Sequence, residues 1–207
     1  FCEVDSTIGW DRAVLMPSLR KAYGDMAITM VLAHEYGHAI QKQATLNPKG
    51  VPTLVAEQQA DCFAGAYVRW VAEDKSPRFT LSTGEGLNNL LAAMFRDPLL
   101  SGNSGYDVGD EHGSAFERIS AFQFGFTDGP SACTGITIRE IKQRRGELPV
   151  ELPSNQTGEL PITEASVRSV VDALNILFTP KNPPKLSFDK ATATSCADAR
   201  PSPPASY

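Results

Sequence analysis

Apolar residues recur at helical spacing along most of this 207-residue chain, and Gly and Pro residues punctuate the pattern. Together they predict a mainly α fold. Residues 1–12 are instead typical of an edge strand with a turn at Gly9, which would add a small, truncated edge sheet and make the fold α+β. The predicted helices lie at 16–23, 25–44, 54–74, 85–96, 114–125 and 163–178, with a weaker one at 137–145.

Length and composition indicate one globular domain over residues 1–178. The chain is long enough, at 42% hydrophobic residues, to bury one substantial core. Residues 146–162 contain three prolines and are typical of an irregular connector. Residues 179–207 are Pro-rich, which predicts an extended tail or linker. The last predicted helix should present an apolar packing face of Val167, Val170, Val171, Leu174, Ile176 and Leu177.

Charge excludes some classes of partner. A net charge of −5 and a pI near 5.2 argue against binding to nucleic acid or to an anionic membrane. No charge-free apolar run approaches the roughly 18 residues that a membrane-spanning helix needs. The sequence starts at Phe1 without a leader, so a leader or membrane anchor would have to lie upstream of it.

Residues 34–38 read His34-Glu35-Tyr36-Gly37-His38, inside the predicted helix 25–44. On a helix the two histidines lie one turn apart on one face, so both imidazoles can reach one Zn²⁺. Glu35 lies beside them and can take a proton from a water molecule. The chain contains only three histidines, so a chance match has a probability of about one per cent or less.

A catalytic zinc site needs a third protein ligand, and Glu57 is the candidate. Residues 42–45 read Lys-Gln-Ala-Thr, which excludes a third histidine shortly after the motif. Glu57 follows on the next predicted helix, and Asp61 lies one turn further along the same face. We expect Asp61 to accept a hydrogen bond from a ligand imidazole, that of His34. The alternative is an ordinary solvated helix face, which the small residues Ala60, Ala64 and Gly65 argue against.

The third histidine, His112, precedes a predicted helix start. Ser114 and Glu117 form a capping-box pattern, which leaves His112 in the loop before the helix. From there its side chain could donate a hydrogen bond to the oxyanion of a tetrahedral intermediate. Arg118, on the first turns of the helix, could hold a carboxylate in place. The alternative is that both are ordinary surface residues.

In order along the chain, these blocks resemble the bacterial neutral zinc metallopeptidases, a family of zincins with a glutamate third ligand. The resemblance covers residues 1–135 and is most specific in one block, residues 57–65. The matching blocks are Phe1-Cys2 with Thr7-Ile8 and Asp11, His34 to His38, Glu57 to Gly65, His112-Gly113-Ser114 with Glu117-Arg118, and Ala132-Cys133.

The resemblance implies a zincin-like helical core, with residues 136–178 as a helical extension. It also implies a Zn²⁺ cofactor held by His34, His38 and Glu57, with Glu35 as the catalytic base. Related zincins carry a histidine followed six residues later by an arginine, which supports His112 and Arg118 as catalytic residues. The family's sheet strands would lie upstream of Phe1.

Cys2, Cys62, Cys133 and Cys196 show no C-x-x-C spacing and are more typical of two disulfides than of a metal site. Three pairings are possible, and the sequence does not choose among them. We favour Cys62–Cys133 with Cys2–Cys196. Either pair would indicate an oxidising compartment, extracellular or in the cell envelope. The alternative is buried free thiols in a cytosolic enzyme.

The expected function is therefore that of a zinc-dependent metallopeptidase acting on a peptide or protein substrate. One alternative is a catalytically inactive zinc-binding module that binds peptides in the cell envelope. The presence of Glu35, which a mere binder could lose, argues against it. A non-peptidase amide hydrolase is a third interpretation that fits the same motif, because a catalytic zinc does not select its amide.

Overall fold

The structure is a computed structural model that describes residues 1–96, 113–146 and 161–188. It is mainly helical, as predicted, and each predicted helix is present. The chain divides into two compact units, residues 1–151 and 152–207; a single domain ending at residue 178 stays a prediction. The helices are α1 Leu15–Tyr23, α2 Asp25–Ala44, α3 Thr53–Ala72, α4 Glu85–Arg96, α5 Ala115–Asp128, a 3₁₀ helix Pro130–Gly135, α6 Ile138–Arg145 and α7 Glu164–Phe178.

Residues 2–7 form a tight turn and residues 8–12 form no strand, so the predicted edge strand over residues 1–12 is wrong. One isolated antiparallel bridge joins Cys2 to Thr7. Between them Asp5 Oδ1 accepts hydrogen bonds from the Thr7 hydroxyl and backbone nitrogen at 2.7 and 3.2 Å. Ser6 adopts a φ of 59°, so the reversal falls there rather than at Gly9. The described residues contain no strand with which this segment could pair, and a strand alone is not stable.

Helix α3 is the centre of the first unit and packs against α2 on one side and α5 on the other. Glycines allow both contacts to be close. A Cβ on Gly37 of α2 would lie 2.9 Å from Ala60 Cα, and one on Gly65 of α3 would lie 2.0 Å from the carbonyl oxygen of Phe122 on α5. The helix backbones therefore touch at these points, which brings side chains on neighbouring helices within reach of one another.

A disulfide between Cys62 and Cys133 ties α3 to the 3₁₀ helix, with the two Cα atoms 5.5 Å apart. This pair is the one that we favoured, and it is confirmed. Both residues are fully buried, in a cluster with Ile136 and Ile141. Cys2 is exposed and forms no disulfide within the described ranges. Cys196 lies outside them, so Cys2–Cys196 stays a prediction.

The second unit contains α7, which Thr163 and Ser166 cap through a reciprocal capping box. No residue of α7 is buried. Val170, Leu174 and Leu177 are exposed, so the prediction that they form a buried packing face is wrong. Among all the helices that the structure describes, none is long and apolar enough to cross a membrane.

We expect Gly125→Ala to destabilise the α3–α5 contact, since the new Cβ would lie 1.7 Å from the carbonyl oxygen of Cys62. Neither helix backbone can move without disturbing the rest of the core. The expected loss in the free energy of unfolding is roughly 3 kcal/mol. Urea denaturation measures it. Gly135→Ala, where a Cβ meets open space, is the control and should change stability by less than about 0.5 kcal/mol.

We expect loss of the disulfide in Cys133→Ala to lower the free energy of unfolding by roughly 2–5 kcal/mol, because the bond closes a long loop in the unfolded chain. The two cysteines are 71 residues apart in sequence. Cys2→Ala, at an exposed position, serves as the matched control. Thiol titration of the unfolded, unreduced protein is the independent check. Four reactive thiols would contradict the disulfide.

Candidate metal centre

His34 and His38 of α2 and Glu57 of α3 meet between the two helices. His34 Nε2 lies 3.1 Å from Glu57 Oε2, and His38 Nε2 lies 3.5 Å from Glu57 Oε1. The two imidazole rings are 4.9 Å apart, edge to face. One nitrogen or oxygen from each of the three residues falls within 4.8 Å of the others. The three ligands that the sequence predicted are therefore brought together.

This geometry fits a zinc ion. Tetrahedral Zn²⁺ with ligands about 2.0–2.2 Å away would hold its ligand atoms roughly 3.3–3.6 Å apart. The two nitrogen–oxygen distances of 3.1 and 3.5 Å are close to that range. Two imidazoles and one carboxylate are also a common ligand set of catalytic zinc, which keeps its fourth position open.

His34 is held from behind by Asp61, as predicted from the spacing. His34 Nδ1 lies 2.8 Å from Asp61 Oδ1, and Asp61 is fully buried. Arg118 of α5 donates to the same carboxylate through Nε at 2.8 Å and Nη2 at 2.9 Å. The side chain of Arg118 therefore holds a carboxylate, as the sequence suggested. Its role as a catalytic residue stays a prediction.

The charges of Arg118, Asp61 and His34 shift the pKa values of the Asp61 carboxyl group and the His34 ring. Burial would lower the pKa of His34, but the charge of Asp61 and the hydrogen bonds that the ring donates to Asp61 and Glu57 raise it to about 9. Burial would raise the pKa of Asp61, but Arg118 and His34 hold it well below its usual range. At neutral pH, Asp61 is ionised. A metal ion that binds His34 Nε2 must displace a proton.

His38 is held by a different group that sequence reasoning missed. Its Nδ1 lies 2.9 Å from Oε1 of Gln41, one turn later on α2. Gln41 is buried and donates through Nε2 to the carbonyl oxygen of Ala56 at 2.6 Å and to Gln59 Oε1 at 3.2 Å. The available signal was a glutamine one helical turn after His38, on the same face of α2.

Glu35 lies on the partly open side of α2, with 27% of its side chain exposed. Its Oε2 contacts the amino nitrogen of Phe1. Phe1 also lines a cavity of about 330 Å³ between the N-terminal turn and α2, together with Ile8, Tyr36 and Ala39. Glu35 therefore lies beside an open groove.

The start of α5 is fixed by the predicted capping box, which is confirmed. Ser114 Oγ accepts from Glu117 N at 3.3 Å, and Ser114 N donates to Glu117 Oε2 at 3.0 Å. Arg145 of α6 donates to the other carboxylate oxygen at 2.7 Å. His112 itself lies outside the described residues, so its predicted role stays a prediction.

One helix carries a pair of histidines, and the neighbouring helix carries a carboxylate that faces them. This arrangement is typical of helical metalloproteins of the zinc peptidase type. The chain belongs to the family described as "putative neutral zinc metallopeptidase", which matches residues 1–136. The family predicted from the sequence is thereby confirmed, and it implies zinc as the metal.

The chain is similar to proteins whose own functions are unassigned. It is 31% identical to the uncharacterized protein YpfJ of Escherichia coli K12, over 64% of this chain and 52% of YpfJ. It is 26% identical to the uncharacterized protein Rv2575 of Mycobacterium tuberculosis H37Rv, over 68% of this chain and 56% of Rv2575. The chain thus spans about half the length of these relatives. No solved structure matches it.

We expect Asp61→Ala to weaken zinc binding by roughly 10- to 100-fold, because His34 loses the acceptor that orients its ring. It should also lower the free energy of unfolding by about 3–5 kcal/mol, since buried Arg118 loses this ion pair. Competition with a chromophoric chelator measures affinity, and urea denaturation measures stability. Asp172→Ala, at an exposed position of α7, is the control. Unchanged zinc affinity would contradict the supporting role of Asp61.

Proposed function

We propose that this chain is a zinc-dependent metallopeptidase that hydrolyses peptide bonds in peptides or unfolded proteins. The observation that carries the proposal is the meeting of the His34, His38 and Glu57 ligand atoms within 4.8 Å of one another. Glu35 lies on α2, the helix that also carries the two histidines. Membership of the zinc metallopeptidase family supports the same conclusion. The three side chains would hold Zn²⁺.

A bound zinc ion supplies Lewis acidity, lowering the pKa of a water molecule and polarising the scissile carbonyl group. Glu35 is the general base: its carboxylate takes the proton of the attacking water and later delivers it to the leaving amine. Its partial exposure gives water and substrate access to the carboxylate. The groove bounded by Phe1, Tyr36 and Ala39 adjoins it, and we assign this groove to the substrate chain.

The supporting residues keep the site in one geometry. Asp61 accepts a hydrogen bond from Nδ1 of His34, so Nε2 is the nitrogen that would bind the metal once its own proton is displaced. Arg118 holds Asp61 through two hydrogen bonds, and we assign it a positioning role through that carboxylate. His112 is proposed to donate a hydrogen bond to the developing oxyanion.

We also propose an extracellular or cell-envelope location. The support is the Cys62–Cys133 disulfide, because disulfides persist in oxidising compartments and are rare in the reducing cytosol.

We expect Glu35→Gln to keep zinc bound while abolishing hydrolysis of an unfolded protein such as reduced, alkylated casein. The amide has nearly the same shape but cannot accept a proton from water. Zinc content is measured by atomic absorption, and hydrolysis by release of new amino termini. Glu164→Gln, at an exposed glutamate on α7, is the matched control and should remain active.

Two outcomes would contradict parts of this proposal. Near-normal hydrolysis by Glu35→Gln would show that another group is the base. An unaltered protein that binds zinc tightly but cleaves no peptide would instead favour an inactive zinc-binding module.

A further inference from the structure

We infer that Gln41 is a positioning residue that determines which ring nitrogen of His38 carries the proton, and so which one is free to bind metal. The inference rests on the proposed zinc site and deepens it. It starts from four hydrogen bonds that link His38 to two backbone carbonyl groups through two buried glutamine amides, Gln41 and Gln59.

The orientation of Gln59 is fixed first. One end of its amide lies 3.0 Å from the carbonyl oxygen of Ile136. A carbonyl oxygen can only accept, so the NH₂ group of Gln59 must face Ile136. Its Oε1 therefore faces the other way, towards Gln41.

The orientation of Gln41 follows. Gln41 is buried, with 4% of the residue exposed, so its hydrogen-bonding groups depend on protein partners rather than on bulk water. One end of its amide lies between Gln59 Oε1 and the carbonyl oxygen of Ala56, at 3.2 and 2.6 Å. Both neighbours are acceptors, so this end must be the NH₂ group. Only Oε1 is left to face His38.

The protonation of His38 is the last step. Gln41 Oε1 lies 2.9 Å from His38 Nδ1. An amide oxygen can only accept, so Nδ1 must carry the proton. In the neutral ring Nε2 then has a free lone pair, and it is Nε2 that lies 3.5 Å from Glu57 Oε1 at the candidate metal site. The carbonyl groups of Ala56 and Ile136 therefore fix the orientation of the Gln41 and Gln59 amides. Those amides in turn leave Nε2 of His38 as the nitrogen that can bind metal.

This arrangement also explains why the residue is a glutamine rather than an acid. Asp61 performs the same task for His34 with a carboxylate, and Arg118 compensates its charge. At Gln41 the remaining neighbours are acceptors, which a carboxylate would repel. Only an amide both accepts from His38 and donates to Ala56 and Gln59.

The experiment uses the zinc-free protein labelled with ¹⁵N, at a pH where the His38 ring is neutral. Long-range ¹⁵N–¹H correlations report the tautomer of each histidine, and His38 is assigned by its loss in His38→Ala. We expect the Nδ1–H tautomer in the unaltered protein. In Gln41→Met, His38 should shift towards the Nε2–H form that predominates in free histidine, and zinc affinity should fall roughly 10- to 100-fold.

Gln41→Glu separates positioning from a general effect on the fold. In either protonation state a glutamate still accepts from His38 Nδ1, so the tautomer and most of the zinc affinity should survive. Its thermal midpoint should nevertheless fall, because Ala56 and Gln59 now face an acid. If Gln41 were merely structural, zinc affinity would follow thermal stability in both variants. Gln43→Met, the same type of change at an exposed site on α2, is the matched control.

An Nε2–H tautomer of His38 in the unaltered protein would overturn this inference, and so would a Gln41→Met variant that binds zinc as tightly as Gln43→Met does. Failure of the unaltered protein to bind zinc would overturn the proposed function instead. The tautomer measurement does not depend on zinc, so the two failures are distinguishable.

Discussion

The buried carboxylate of Asp61 is the constraint on which the rest of the structure depends. A charge with no exposure to water is strongly unfavourable unless ionic and hydrogen-bonding partners surround it. Those partners come from other helices: Arg118 from α5 and His34 from α2. Both of these helices must therefore approach α3 closely. Gly37 and Gly65 permit this approach, because a Cβ at either position would collide with the facing backbone.

The two histidines are supported in physically different ways. His34 depends on an ionised carboxylate, and His38 on a neutral amide relay that ends at Ile136. Ile136 N donates to the carbonyl oxygen of Cys133, which the disulfide ties to Cys62 on α3. The disulfide therefore helps to hold Ile136, the last residue of the series that supports His38. In the same way, α5 holds Arg118, the last residue of the series that supports His34. Both rings are held through α3, the helix that also carries Glu57.

Local patterns predicted the helices and the His34–His38 pair, because each of these is encoded over one or two turns. The His34–His38 spacing and the Ser114–Glu117 capping box are of this kind. Features that depend on contacts with residues distant in sequence could not be predicted in this way. The edge strand failed because pairing requires a second strand, and the α7 packing face failed because an apolar stripe does not identify what covers it. Gln41 was missed because its role appears only once Ala56 and Gln59 have been placed around it.

The difference between the two supports also sets the charge of the site. Asp61 and Arg118 carry opposite charges that offset each other, and among the three proposed ligands Glu57 is the acid. In the proposed zinc site, a carboxylate in place of the Gln41 amide would lower the net positive charge, and so reduce the Lewis acidity that a zinc ion would supply there. A neutral amide instead fixes the His38 ring while leaving that charge available. A glutamate in place of Gln41 could therefore still hold the His38 ring, but it would reduce the Lewis acidity of the proposed zinc site.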